Sequence, residues 1–285
     1  MGALVLFTLL ACYFLFQLFD SKDTETASPY LDEDYEGFVQ LSQMPSDPEL
    51  HAILLETFAY YHLLVSSEQA VFRVRLRKIL GDKWFTGRDG LEVDDRMILQ
   101  VGATMAQLTL GIERFYFPRF DRIVLFPDAF YSKLFEKDVK GMTVFHTGVV
   151  LISWPHYQEG YSNPTDRLNL GLHEMAHALY LDYFGHRRML YGFDRWSIIA
   201  LPVFEEMQRN TQHPFLRKYA GSNMHEFWAV CVEHFFEAPI EFREKLPVLY
   251  KAMCQILRQD MARRMDKYRI KRSYEAMKIP ASVVA

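Results

Sequence analysis

The chain has 285 residues, half of them hydrophobic and 15% aromatic, with a formal net charge of −4. That composition supports a globular body with a sizeable core and excludes an intrinsically disordered protein. So mild a negative charge leaves no electrostatic footprint for nucleic acid, and none is expected as a partner.

Residues 3–19, ALVLFTLLACYFLFQLF, carry no charged side chain. As a helix they would span roughly 25 Å, close to the ~30 Å hydrocarbon core of a bilayer. No basic segment precedes them and no small-residue cleavage site follows. The sequence therefore predicts an uncleaved N-terminal transmembrane helix over residues 1–20 rather than a signal peptide. Residues 21–37 are acidic, polar and aperiodic, which describes a linker. Helix-spaced apolar residues predict helices over 48–65 and 68–80, with Asp47 and Ser67 as N-caps, and from Asp94 or Asp95 to about Gly111.

The segments 122–127 (RIVLFP) and 143–154 (TVFHTGVVLISW) are rich in β-branched and aromatic residues and predict strands. Helices return at about 166–183, 198–209, 223–237 and 246–265. Helices on both sides of a short strand block make one α+β domain, mostly helical with a small β-sheet, over residues 38–273. Residues 274–285 form a C-terminal tail. Of three cysteines, Cys12 lies in the apolar segment, while Cys231 and Cys254 form neither a disulfide framework nor a CxxC metal knuckle. Any metal must then rest on histidine and carboxylate.

One stretch offers that chemistry: NLGLHEMAHALYLDYF, residues 169–184. His173 and His177 are four apart and share one helix face, so both can reach one metal. Glu174 is turned by ~100° from His173, beside a metal-bound water instead of on the metal. In HExxH sites the two imidazoles bind zinc and the glutamate takes the water's proton. The neighbouring Leu170, Leu172, Met175, Ala176 and Leu179 make the helix apolar, so these polar side chains are partly buried and need partners.

A third ligand must come from elsewhere. Tyr183 and Tyr180 occupy the positions where HExxHxxGxxH needs histidine and glycine, which excludes that variant. The segment 223–239 (NMHEFWAVCVEHFFEAP) offers Glu226, Glu233 and Glu237, with His225 and His234. Asn223 and Glu226 also fit a capping box, so ligand and cap both stand for Glu226. Glu233, two turns on, shares its face and fits either a ligand or an acceptor for a histidine N–H. His146, His156, His186 and His213 read as surface or loop residues.

The chain resembles the MtfA (Mlc titration factor A) family of zinc metallopeptidases. The resemblance rests on Asn169 four residues before the HExxH, on Tyr219-Ala220, and on Glu226 followed by Phe235-Phe236-Glu237-Ala238-Pro239. The segments 85–97, 124–130 and 146–154 also match family landmarks. The resemblance implies a zincin-like fold and Zn2+ on His173, His177 and Glu226, a gluzincin-like set. It implies Glu174 as general base, and Tyr219 as a hydrogen-bond donor to the oxyanion. It implies a peptide or protein substrate and also admits a regulatory protein partner, a transcription repressor held by sequestration.

The family carries an aspartate three residues after the second histidine, where Tyr180 stands here. Asp182 is a substitute on a different face, and either it or Glu233 could support the ligands. The cytoplasmic family, the missing disulfide framework and a basic segment at 262–272 imply a single-pass protein of the cell membrane with its domain on the cytoplasmic side.

Overall fold

The computed structural model describes residues 37–184, 187–209 and 213–278. The predicted anchor and nearly all of the acidic linker lie outside the described residues. No helix among the described residues is long and apolar enough to cross a membrane.

Chain order gives α1 (Asp47–Thr57), α2 (Ser66–Leu80), β1 (Trp84–Gly87), α3 (Asp95–Thr109), β2 (Arg122–Phe126), β3 (Phe130–Ser132), β4 (Lys137–Val139), β5 (Gly141–Val144) and β6 (Val149–Ser153). The helices α4 (Trp154–Ser162), α5 (Leu170–Phe184), α6 (Arg187–Arg209), α7 (Met224–Glu237), α8 (Pro239–Lys245), α9 (Pro247–Leu257) and α10 (Met261–Lys278) follow. Short 3-10 turns occupy Ala59–Leu63 and Lys218–Gly221. The fold is α+β and mostly helical, as the sequence predicts.

Four strands form one sheet in the order β1-β2-β6-β5. β1, β2 and β6 are parallel, and β5 runs antiparallel to β6 at the edge. Strands β2 and β6 are continuous apolar runs because both faces of this sheet are covered. Ile123, Leu125, Val150 and Ile152 face the helices, whereas Val124, Phe126, Val149 and Leu151 face the other way. The β3–β4 hairpin covers that second face, with Phe130 stacked on Phe126 at 4.1 Å between centroids. Beneath the sheet, α5 is packed between β5 and β6 on one side and α7 on the other.

Several boundaries differ from those predicted, each for a local reason. The first helix ends at Thr57 instead of 65, because Phe58 turns extended and buries its ring. Ser46, not Asp47, starts that helix, its backbone N–H donating to Glu49 at 2.8 Å, and the second helix begins at Ser66. The predicted strand 143–154 is two strands, β5 and β6, joined by a turn at Gly148, whose φ of +65° suits glycine. Trp154 instead opens α4, with proline in its first turn. The single helix predicted at 246–265 is interrupted by Arg258 in the left-handed region. Helix α10 continues to Lys278, beyond the domain end expected at 273.

Candidate metal centre

Helix α5 starts where Asn169 Oδ1 accepts the Leu172 N–H at 2.9 Å. Leu172, Met175, Ala176, Ala178, Leu179 and Leu181 are all buried, so α5 is a core helix flanked on almost every side. Helix α7 is started by Asn223, whose Oδ1 accepts from the N–H groups of His225 and Glu226. The two helices are pinned together by Trp228, whose indole N–H donates to the Ala176 carbonyl at 2.9 Å.

The pinning brings Glu226, Glu233 and Glu237, one stripe of α7 at i, i+7 and i+11, against α5. Glu226 Oε2 lies 3.0 Å from His173 Nε2 and 3.5 Å from His177 Nε2, and the two imidazole nitrogens are 3.1 Å apart. Glu226 therefore directs its carboxylate at the histidines, while Asn223 caps the helix. Glu233 Oε1 accepts from His173 Nδ1 at 2.7 Å. That bond holds a proton on Nδ1, so Nε2 is the nitrogen that offers a lone pair toward the other two atoms once the ring is neutral.

Those three atoms satisfy a specific test for a metal. Glu226 Oε2 is buried and accepts no hydrogen bond, although it sits at ion-pair distance from His173. Lone pairs converging on one point repel unless a proton or cation lies between them. Four-coordinate zinc with ligands at 2.0–2.1 Å places its ligand atoms roughly 3.3 Å apart, and the triangle here has sides of 3.0, 3.1 and 3.5 Å. Among the described residues, His173, His177 and Glu226 form one group able to hold a metal ion. The residues present fit.

Charge distribution follows from burial and these contacts. For His173, burial disfavours the charged ring, but Glu233 and Glu226 outweigh it and push the pKa up to about 10. For Glu226, burial acts upward and the two histidines outweigh it, holding the carboxyl well below the usual range. A proton shared among these groups thus competes with a cation for the same place.

Glu174 is 4% exposed, and burial raises its pKa against the opposing pull of His177 and His173. Thr143 on β5 lies with Oγ1 2.9 Å from Glu174 Oε2. Gly141, on the same strand, leaves the room: a Cβ there would lie 2.5 Å from Glu174 Oε1. Tyr219, in the turn before α7, is half exposed, with its ring 6.0 Å from that of His173. Burial and the charge of Glu226 raise its phenol pKa.

Of the two residues proposed to support the ligands, Glu233 is bonded to His173. Asp182 Oδ1 instead accepts the Arg119 N–H at 3.2 Å, beside an open cleft lined by Arg119, Arg122 and His146. Tyr180, where the family pattern has aspartate, packs edge-on against His225 at 4.4 Å. His234 is buried between the Val230 and Phe215 carbonyls, and His213 accepts backbone N–H groups of Phe215 and Leu216. His156 is bonded to Ser153. Thr143, Gly141 and Arg217 were not singled out from sequence; Arg217 makes a two-pronged salt bridge with Glu233.

The family described as glucose-regulated metallo-peptidase M90 matches residues 34–258. The chain belongs to this family. Among similar proteins is the uncharacterized protein slr2042 of Synechocystis sp., 25% identical over 236 residues, covering 75% of this chain and 85% of the relative. Mlc titration factor A of Salmonella arizonae is 24% identical over 224 residues, covering 71% of this chain and 88% of the relative. The protein of the same name from Salmonella paratyphi B matches at 24%, with 83% of its length covered. The family match and the relatives named Mlc titration factor A agree with the family resemblance read from the sequence. A group able to hold a metal ion, formed by His173, His177 and Glu226, is consistent with a metallopeptidase family.

Proposed function

We propose that this chain hydrolyses peptide bonds at a zinc ion held by His173, His177 and Glu226. The observation that carries the reading is the buried convergence of their three lone-pair atoms, with Glu226 Oε2 lacking any hydrogen-bond donor. Zinc, when bound, supplies a Lewis acid that polarises a carbonyl and lowers the pKa of water toward ~7.

The remaining chemistry belongs to the chain. Glu174 accepts the proton of the attacking water and delivers it to the leaving amine. Burial supports the second half of that task, because a carboxyl with a raised pKa holds a proton longer. Tyr219, at the rim, donates to the oxyanion that develops on the scissile carbonyl. The outer side of the edge strand β5, whose Thr143 bonds Glu174, offers its backbone groups to an extended peptide. Residues 3–19 anchor the enzyme in the cell membrane, with the domain on the cytoplasmic side.

A second reading follows from the relatives named titration factor. The chain would sequester a regulatory protein, with proteolysis secondary. Glu174 favours chemistry, since sequestration has no use for a buried carboxylate beside the metal ligands.

One paired experiment tests both. Glu174→Gln should keep about one zinc per chain and lower peptide hydrolysis by ~10²-fold or more. Glu226→Gln still tolerates the Asn223 cap but ligates poorly, and should lose the metal. Wild-type protein without zinc, or a Glu174→Gln variant as active as wild type, overturns the peptidase reading. Wild type that binds zinc but cleaves nothing in a broad peptide library moves the assignment to sequestration.

A further inference from the structure

We infer that Arg217 is a positioning residue, which fixes the orientation of His173 through Glu233 and, from the same side chain, holds the turn that carries Tyr219. The inference rests on the reading of His173 as a metal ligand.

Glu233 is 1% exposed, so its charge is tolerated only if it is fully paired. Its Oε2 accepts the Asn169 N–H and Arg217 Nη1, each at 2.9 Å. Its Oε1 is shared between His173 Nδ1 and Arg217 Nη2. The guanidinium fork therefore fixes both carboxylate oxygens at once, which a single point donor cannot do. With Oε1 fixed, the His173 ring has one orientation that keeps its Nδ1–H bond. That orientation points Nε2 at Glu226 and His177.

The same Arg217 is the residue from which the Lys218–Gly221 turn departs. Its Nη1 also donates to the Arg167 carbonyl at 3.0 Å, and its guanidinium lies 6.0 Å from the Tyr219 ring centroid. One side chain thus spans the support of a ligand histidine and the base of the turn holding Tyr219. Loss of Arg217 frees Glu233 to rotate and unties the turn, without removing any group that touches substrate.

The test uses full-length protein with Arg217→Lys and Arg217→Met. Zinc affinity is read by competition with a chelator, kcat and KM at saturating zinc, and the orientation of the His173 ring from its Nδ1–H and ring nitrogen signals in the metal-free protein. Arg217→Lys keeps the charge and should fold, yet zinc should bind about 10- to 100-fold more weakly. At saturating zinc, kcat should fall while KM changes less than about twofold, because Tyr219 acts on charge absent from the ground state. The His173 ring signals should broaden or shift in both variants, as the Nδ1–H bond to Glu233 loses its single geometry.

Unchanged zinc affinity, kcat and ring shifts, with only a lowered melting temperature, would overturn the inference and leave Arg217 a structural ion pair. The ring-signal readout needs no metal. Altered ring shifts in protein that never binds zinc would uphold the positioning role and sink the peptidase reading instead.

Discussion

Replacing Gly141 by alanine should disable the general base while leaving the metal site intact. A Cβ at this position would lie 2.5 Å from Glu174 Oε1 and 2.8 Å from both Cδ and Cγ. Ordinary contact begins near ~3.5 Å, so the carboxylate must retreat by roughly 1 Å. Its far oxygen is held by Thr143 at 2.9 Å, and the helix behind it is packed against the sheet, so the side chain has to rotate away. Misplacement on the order of 1 Å costs about 10²-fold in rate. The assay is kcat/KM on a peptide substrate beside zinc content and melting temperature. Zinc stoichiometry should stay at wild type, because His173, His177 and Glu226 are untouched. Wild-type kcat/KM would refute the reasoning, and so would loss of zinc, which would mean the strain had passed into α5. Thr143→Val removes the hydroxyl without adding bulk and should have a smaller effect of the same kind.

Two further outcomes follow. Burial pushes the Glu237 carboxyl up to about 8 in the folded protein, above the ~4.3 of an unfolded glutamate. Folded protein therefore binds the proton more tightly, and Glu237 costs stability progressively as pH rises from about 4.3 through 8. Glu237→Gln can keep the Asn169 bond and cannot ionise, so its melting temperature relative to wild type should climb by several degrees between pH 5 and 8.5; a pH-independent difference would contradict this. Full-length protein should pellet with membranes and resist carbonate extraction, whereas residues 38–285 should remain soluble. Digestion of the domain by protease added outside intact spheroplasts would overturn its cytoplasmic placement.

The legible parts of this protein are those whose geometry is local. His173 and His177 are one helical turn apart, so their spacing alone brings both rings to one place. The apolar runs of β2 and β6, and the periodicity of α3 and α7, mark elements long enough to carry a pattern. Strands β1, β3 and β4 have three or four residues each, too few for alternation to register. The break at Phe58 is decided by where a buried aromatic ring finds room, which no window of sequence records. Glu226 was legible as a candidate only: a capping box and a metal ligand have the same local spelling. The choice between them depends on Trp228 docking α7 onto α5. Thr143, Gly141 and Arg217 reach the site from an edge strand and a one-turn segment. Their roles exist only after the sheet and α7 have closed around α5.

The stripe Glu226, Glu233 and Glu237 shows how much that closure decides. All three are glutamates on one face of one helix, and burial acts on each to favour the neutral form. Glu226 meets His173 and His177, and Glu233 meets His173 and Arg217; in both cases the positive partners outweigh burial and keep the carboxylate charged. Glu237 has the neutral amide of Asn169 and the Arg167 backbone in place of positive partners, and burial prevails. As α7 proceeds from Glu226 to Glu237 its contacts on α5 go from His177 back to Asn169, so the helices cross antiparallel. That crossing matches each acid with its neighbour. A one-residue shift of α7 along α5 would set Glu233 away from His173 and Arg217 and turn a fully paired buried charge into an unpaired one, costing several kcal/mol. The register of the metal-bearing helix pair is thus enforced by the same ion pair that orients the ligand.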